Sequence, residues 1–190
     1  MVILFVYGCK NNTDTSVSSN KISNDTTHFF PVKQFIQQQV DEVNRTPYYI
    51  YKISEESGVK DSVSLNNATF NKLAEEFLKD DISDPAVKKY YNENLFFDET
   101  TKSFTFSYTA TNDNLPLQSV TVLVMEDGKT VKRILLRKYI NRGDSSTLLQ
   151  MGWKPDESFQ VIELINKDGD DSEKTRTNTV VWNEGGKDQL

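Results

Sequence analysis

Apolar residues fall at helical spacing in two stretches of the chain's first half and at every second position through much of its second half. Val32, Phe35, Ile36, Val40 and Val43 form one stripe, with Gln and charge opposite, which predicts an amphipathic helix from Pro31 to about Arg45. Pro31 suits the first helical position, where its missing N–H has no partner to lose. Pro47 ends the helix. Phe70, Leu73, Ala74, Phe77 and Leu78 repeat the stripe, with Asn66 or Asn67 as N-cap. Asp80 and Asp81 oppose the dipole at that helix's C-terminus, and Asp84-Pro85 marks a break soon after.

Strand patterns surround and follow these helices. PYYIYKIS is aromatic and β-branched, and KDSVSL predicts a short second strand. From Leu95 onward, strands follow one another. SFTFSYT alternates strictly, with Phe104, Phe106 and Tyr108 on one side. LQSVTVLVM leads through the hairpin signal Asp127-Gly128 into TVKRILLRKYI. TLLQMGW and FQVIELI are joined by Lys154-Pro155-Asp156, Asn166–Ser172 makes the next hairpin, and TRTNTVVW is expected to close the sheet. Consecutive hairpins need no crossover helices. The expected fold is therefore α+β: an antiparallel β-meander with the two N-terminal-half helices packed on one face. No repeat of fixed period is visible.

Length and charge narrow the picture. At 190 residues and 36% hydrophobic, the chain suits one domain, placed at residues 29–184 with a frayed tail at 185–190. A net charge of -6 excludes general nucleic-acid binding, because phosphate contacts need a surplus of Lys and Arg.

A single cysteine, Cys9, rules out an intramolecular disulfide and a cysteine-held zinc. It follows a six-residue apolar run, Val2–Tyr7, that is far short of the roughly 20 residues a bilayer span needs. Val6-Tyr7-Gly8-Cys9 resembles a bacterial lipobox, in which a small residue precedes a cysteine that is lipidated and becomes the mature N-terminus. Residues 1–8 then read as the remnant of a signal peptide. The competing reading is an ordinary buried thiol at the start of a strand. From Lys10 to His28, fourteen of nineteen residues are Ser, Thr, Asn or Asp. Such a stretch buries too little apolar area to offset the entropy of ordering it, so residues 9–28 are expected to be a lipidated cysteine and a flexible tether.

ISDPAVKKYY, the LPLQSVTVLV strand with its EDGK hairpin and the two tryptophan-ended strands are similar to uncharacterised secreted lipoproteins of Bacteroidetes-type bacteria, over about residues 30–184. The resemblance implies a membrane partner through the lipid anchor and no particular activity. Lys10 after Cys9 carries no inner-membrane retention signal by resemblance to the sorting rule, and KNNTD has only one acid. The expected location is the outer membrane of the cell envelope, on its periplasmic side.

Candidate chemistry is sparse. His28 is the sole histidine and sits at the edge of the tether, without a frame for a catalytic dyad or triad. The acidic Asn166–Asp171 stretch fails as a calcium loop, since Gly169 in sixth place puts Leu164 first. With 28 acidic residues, some pair is always close enough for a glycosidase, so the count points nowhere. There is no phosphate loop and no GxSxG elbow. No enzyme activity, cofactor or metal is therefore expected.

Two features remain. Lys129, Lys132, Arg133, Arg137, Lys138 and Arg142 make a basic run without an acid, suited either to an anionic glycan or headgroup or to protecting an exposed strand. Tyr48, Tyr49, Tyr51, Tyr90, Tyr91, Trp153 and Trp182 would stack on sugars if exposed, and form the core or its margin if not. The expected function is a non-catalytic envelope lipoprotein that binds an envelope protein or acts structurally. The alternative is a glycan-binding accessory module, with Tyr48, Tyr49, Tyr51, Trp153, Trp182, Arg133 and Arg137 as its ligand-binding residues.

Overall fold

In the computed structural model, which describes residues 29–169 and 174–184, the first helical stripe forms α1, Val32–Arg45. Pro31, expected at the first helical position, stands instead at the N-cap, so the helix starts one residue later, at Val32. A hairpin follows, of β1, Ile50–Glu56, and β2, Val59–Leu65. The second stripe is α2, Asn67–Leu78, whose N-cap Asn66 accepts a hydrogen bond from Thr69 N at 2.9 Å. Asp84-Pro85 does more than break the chain: Asp84 caps and Pro85 starts a single helical turn, α3, Pro85–Lys88.

Seven strands follow among the described residues: β3 Tyr91–Asp98, β4 Ser103–Ala110, β5 Leu117–Met125, β6 Val131–Asn141, β7 Ser145–Lys154, β8 Ser158–Lys167 and β9 Lys174–Val181. All nine form one antiparallel sheet in the order β2-β1-β9-β8-β7-β6-β5-β4-β3. The fold is α+β with the sheet dominant. β3 to β9 run hairpin after hairpin, but β9 does not close the sheet as expected. β1 pairs along it, with Lys52 opposite Val180, so the backbone groups of β9 are satisfied on both sides and the edges fall to β2 and β3. β3 also starts at Tyr91, earlier than the sequence pattern suggests, because the polar Asn92-Glu93-Asn94 hides its alternation.

Alternation divides the sheet into an apolar and a polar face. Val120, Val122, Ile134, Leu136, Leu149, Met151, Trp153, Phe159 and Val180 are buried on the first. α2 meets it through Phe77, edge-on to Trp153 and to Phe159 at ring separations of 5.2 Å. Phe70 is edge-on to Trp182 at 5.6 Å. Trp153 stacks on Phe159 at 5.1 Å, while its Nε1 has no hydrogen-bond partner among the described residues, so packing holds the ring. α1 contributes Val32, Ile36, Val40 and Val43 to the same core. It is tied to the β7–β8 turn in both directions: Asp156 N donates to Gln39 Oε1 at 2.7 Å, and Gln39 Nε2 donates to Asp156 Oδ1 at 3.1 Å.

Candidate binding site

The polar face carries an opening whose chemistry suggests a ligand, and a missing side chain deepens it. Along one row across the sheet, residues opposite one another in register run Thr179, Gln160, Gly152, Leu135 and Thr121, from β9 to β5. Gly152 interrupts this row of side chains and opens a hollow of about 440 Å³. That volume falls within the range of small-molecule sites. A Cβ placed on Gly152 would meet nothing closer than Leu135 Cδ2 at 3.5 Å, and the residue's φ is not in the left-handed region. Neither strain nor crowding therefore requires glycine here. Glycine inside a strand without such a reason marks a place where something approaches the backbone closely.

Charge gathers around the hollow. Arg133 and Arg137 flank Leu135 on β6, with Cα atoms about 13 Å apart by strand rise. Arg137 lies opposite Gln150 on β7. Lys154 completes the rim, and no carboxylate lines it. Lys154 is neutralised in part by Glu157. Arg133 and Arg137 are exposed, and among the described residues neither has an ion pair or a side-chain hydrogen bond.

Arg133 reaches this face through an irregularity. Leu123 pairs with Arg133 but Val124 pairs with Val131, leaving Lys132 as the extra residue of a β-bulge. The bulge lets Val131 stay in the core while Arg133, two residues on, turns to the polar side. Plain alternation would have put both on one face.

The rest of the basic run separates. Lys138 is 2% exposed on the apolar side, where its Nζ reaches Asp80 Oδ2 at 2.8 Å and donates to Glu76 O at 2.7 Å and Glu76 Oε1 at 3.0 Å. Three acceptors match its three N–H bonds, so the ammonium pins the C-terminus of α2 and is no free nucleophile. Burial pushes the Glu76 carboxyl up, but the hydrogen bonds from Lys79 and Lys138 outweigh it and hold the group below its ordinary value.

The expected aromatic residues also divide. Trp153 and Trp182 are 0% and 4% exposed, so their assignment as ligand-stacking rings is corrected: both belong to the core. Tyr48 is half-buried and packs against that core. Tyr49, 73% exposed, and Tyr51 stand together at a ring separation of 6.1 Å, with the Tyr51 hydroxyl bonded to Glu184. That bond, with burial second, raises the Tyr51 hydroxyl above its ordinary value. Tyr51 pairs with Val181, Val181 with Ser158, and Ser158 with Lys154, so the tyrosines share a face with the hollow, three strands from Lys154 and one strand from β9, which carries Thr179 of the lining. Tyr91 is buried, donates to Leu117 O at 2.7 Å and is pushed up to about 12 by burial, with Asp80 adding to it, so it serves structure. Gln150, Gly152, Gln160, Thr121 and Thr179 were invisible as site residues in the sequence, because only strand register brings them together.

Cys9 and His28 lie outside the described residues. Among the described residues no three His, Cys, Asp or Glu side chains gather in a metal-holding group, and no helix is long and apolar enough to cross a membrane. Comparison with protein-family models, curated proteins and solved structures returns no match for this chain.

Proposed function

We propose that this chain is a non-catalytic, lipid-anchored protein of the bacterial envelope that binds a ligand on the polar face of its sheet. The observation that carries the reading is the hollow over Gly152, with two guanidiniums unpaired among the described residues on its rim. In this reading the two long helices cover the apolar face and leave the other free. The packing of Phe77 on Trp153 and Phe159 supports that arrangement.

Two experiments test the two halves of the proposal. For the site, the isotopically labelled chain is titrated with soluble envelope saccharides and inorganic anions while its amide resonances are followed. Shifts should cluster at residues 119–121, 133–137, 150–154 and 158–162. Shifts scattered over the molecule would contradict a site on this face. Gly152→Ala should raise stability by about 0.5–1 kcal/mol, since glycine is unfavourable inside a strand, and Gly152→Val should project into the floor of the hollow, block close approach to the backbone there and remove the clustered shifts. A glycine needed only for folding would give the opposite stability change.

For the anchor, Cys9 would carry lipid, with Lys10–His28 as tether, at the periplasmic side of the outer membrane. Cys9→Ser should move the protein from the membrane to the soluble fraction, because acylation supplies the membrane affinity. Protease added to intact cells should leave the domain in place. A Cys9→Ser variant that stays with the membrane contradicts the anchor.

A further inference from the structure

Resting on that binding reading, we infer that the hollow takes a carboxylated sugar, a uronate unit of an acidic oligosaccharide. Net positive charge at the rim calls for an anion, and the planar fork of arginine pairs with a carboxylate through two parallel hydrogen bonds. Arg133 and Arg137 are both exposed on this face and free of acidic partners among the described residues.

The lining between the charges is wrong for a bare anion. Gln150 and Thr121 offer carbonyl and hydroxyl oxygens that accept as well as amide and hydroxyl groups that donate, while Gln160 Nε2 donates to Thr179 Oγ1 at 3.0 Å and leaves the Gln160 carbonyl and the Thr179 O–H facing the hollow. An inorganic anion has little to give those acceptors, whereas ring hydroxyls donate and accept. A fatty carboxylate would leave the Gln150 amide unpaired. Leu135 and the bare backbone at Gly152 supply an apolar floor on which the C–H face of a pyranose can lie. Carboxylate, hydroxyls and one apolar face together describe a sugar acid.

The surface extends beyond one unit. From Lys154 the row passes through Ser158 and Val181 to Tyr51. Three interstrand steps make about 14 Å. Tyr49 at its end offers an exposed ring, with the half-buried Tyr51 beside it, for a later unit of the chain. The ligand is therefore an oligomer, with its charge in the hollow and a second sugar on the tyrosines.

The full chain is titrated with a galacturonate tetramer, with its fully methyl-esterified counterpart and with inorganic phosphate, by calorimetry and amide shifts. The tetramer should bind at the hollow, and esterification should weaken it at least tenfold. Arg133→Gln and Arg137→Gln should each weaken it about tenfold, the loss expected for one charge-assisted pair. Both variants should melt with the wild type, as exposed positions do. Tyr49→Ala should weaken the tetramer several-fold and a galacturonate monomer not at all.

Equal binding of acid and ester overturns the proposal, as does phosphate binding as tightly as the tetramer. If a phosphate, a neutral glycan or a peptide fragment shifts the hollow's amides and the uronate does not, the ligand class is wrong and the binding site stands. If no probe shifts them, both readings fall.

Discussion

Phe77→Ala is expected to lower the folding free energy by about 3–5 kcal/mol, the range for truncating a fully buried phenylalanine. Phe77 is wholly buried and edge-on to both Trp153 and Phe159, so alanine leaves a void between α2 and the middle of the sheet. For a domain of this size that loss corresponds to a fall in Tm of about 6–20 °C. Urea unfolding followed by tryptophan emission reads it directly, because Trp153 and Trp182 both sit in the cluster that opens. Phe77→Leu, which refills most of the volume, should cost under about 1.5 kcal/mol. Phe96→Ala, at an exposed ring on edge strand β3, should fall within about 0.5 kcal/mol of wild type. A Phe77→Ala loss no larger than that of Phe96→Ala would mean that α2 is not docked on the sheet.

The same strand that receives Phe77 also makes the hollow. Trp153 faces α2, while its neighbours Gly152 and Lys154 face the other side. Stability and binding are thus separated by the pleat rather than by distance. Phe77→Ala should bind ligand normally at temperatures where it is folded, and Gly152→Val should fold normally without binding.

How much of this was legible in the sequence follows from what periodicity can report. It reports which positions of an element share a face, so both helical stripes and the alternation of β4, β5 and β7 were readable. It is silent on which residues of distant strands become neighbours. The row Thr179, Gln160, Gly152, Leu135 and Thr121 exists only through strand register, and the opening in it is the absence of a side chain. The basic run was visible as composition but not as geometry. A one-residue bulge at Lys132 decides where Arg133 points, and the step from Arg137 to Lys138 crosses the sheet. The tryptophans were open to two readings because a strand-end Trp suits a core and a sugar platform equally. Their burial under Phe70 and Phe77 depends on helix packing that local pattern does not encode. The place of β9 beside β1 was missed for the same reason, since a pairing between the two ends of the domain leaves no local trace.

Lys138→Met should cost about 3 kcal/mol at neutral pH, the low end of the range for removing one partner of a buried ion pair. Methionine keeps the apolar stem packed, so the loss isolates the charge. It strands the Glu76 and Asp80 carboxylates side by side and takes the hydrogen bond from Glu76 O at the end of α2. Those carboxylates are 25% and 34% exposed, and water relieves part of the penalty, which sets the low end. The pH dependence distinguishes this from simple misfit. In the wild type the Glu76 carboxyl is held below its ordinary value of 4.5, against the upward push of burial, by Lys79 and Lys138. A lowered carboxyl contributes stability above its unfolded value and loses it as the pH falls through the folded one. Removing Lys138 withdraws its share of that contribution and leaves Lys79 alone against burial, which favours the protonated acid. The gap between variant and wild type should therefore narrow steadily on acidification from about pH 7 to about pH 4. Urea titrations across that interval measure it, and a gap independent of pH would assign the loss to packing alone. Adding Glu76→Gln to Lys138→Met should restore part of the stability, because one stranded charge is then gone. Two independent losses would instead add.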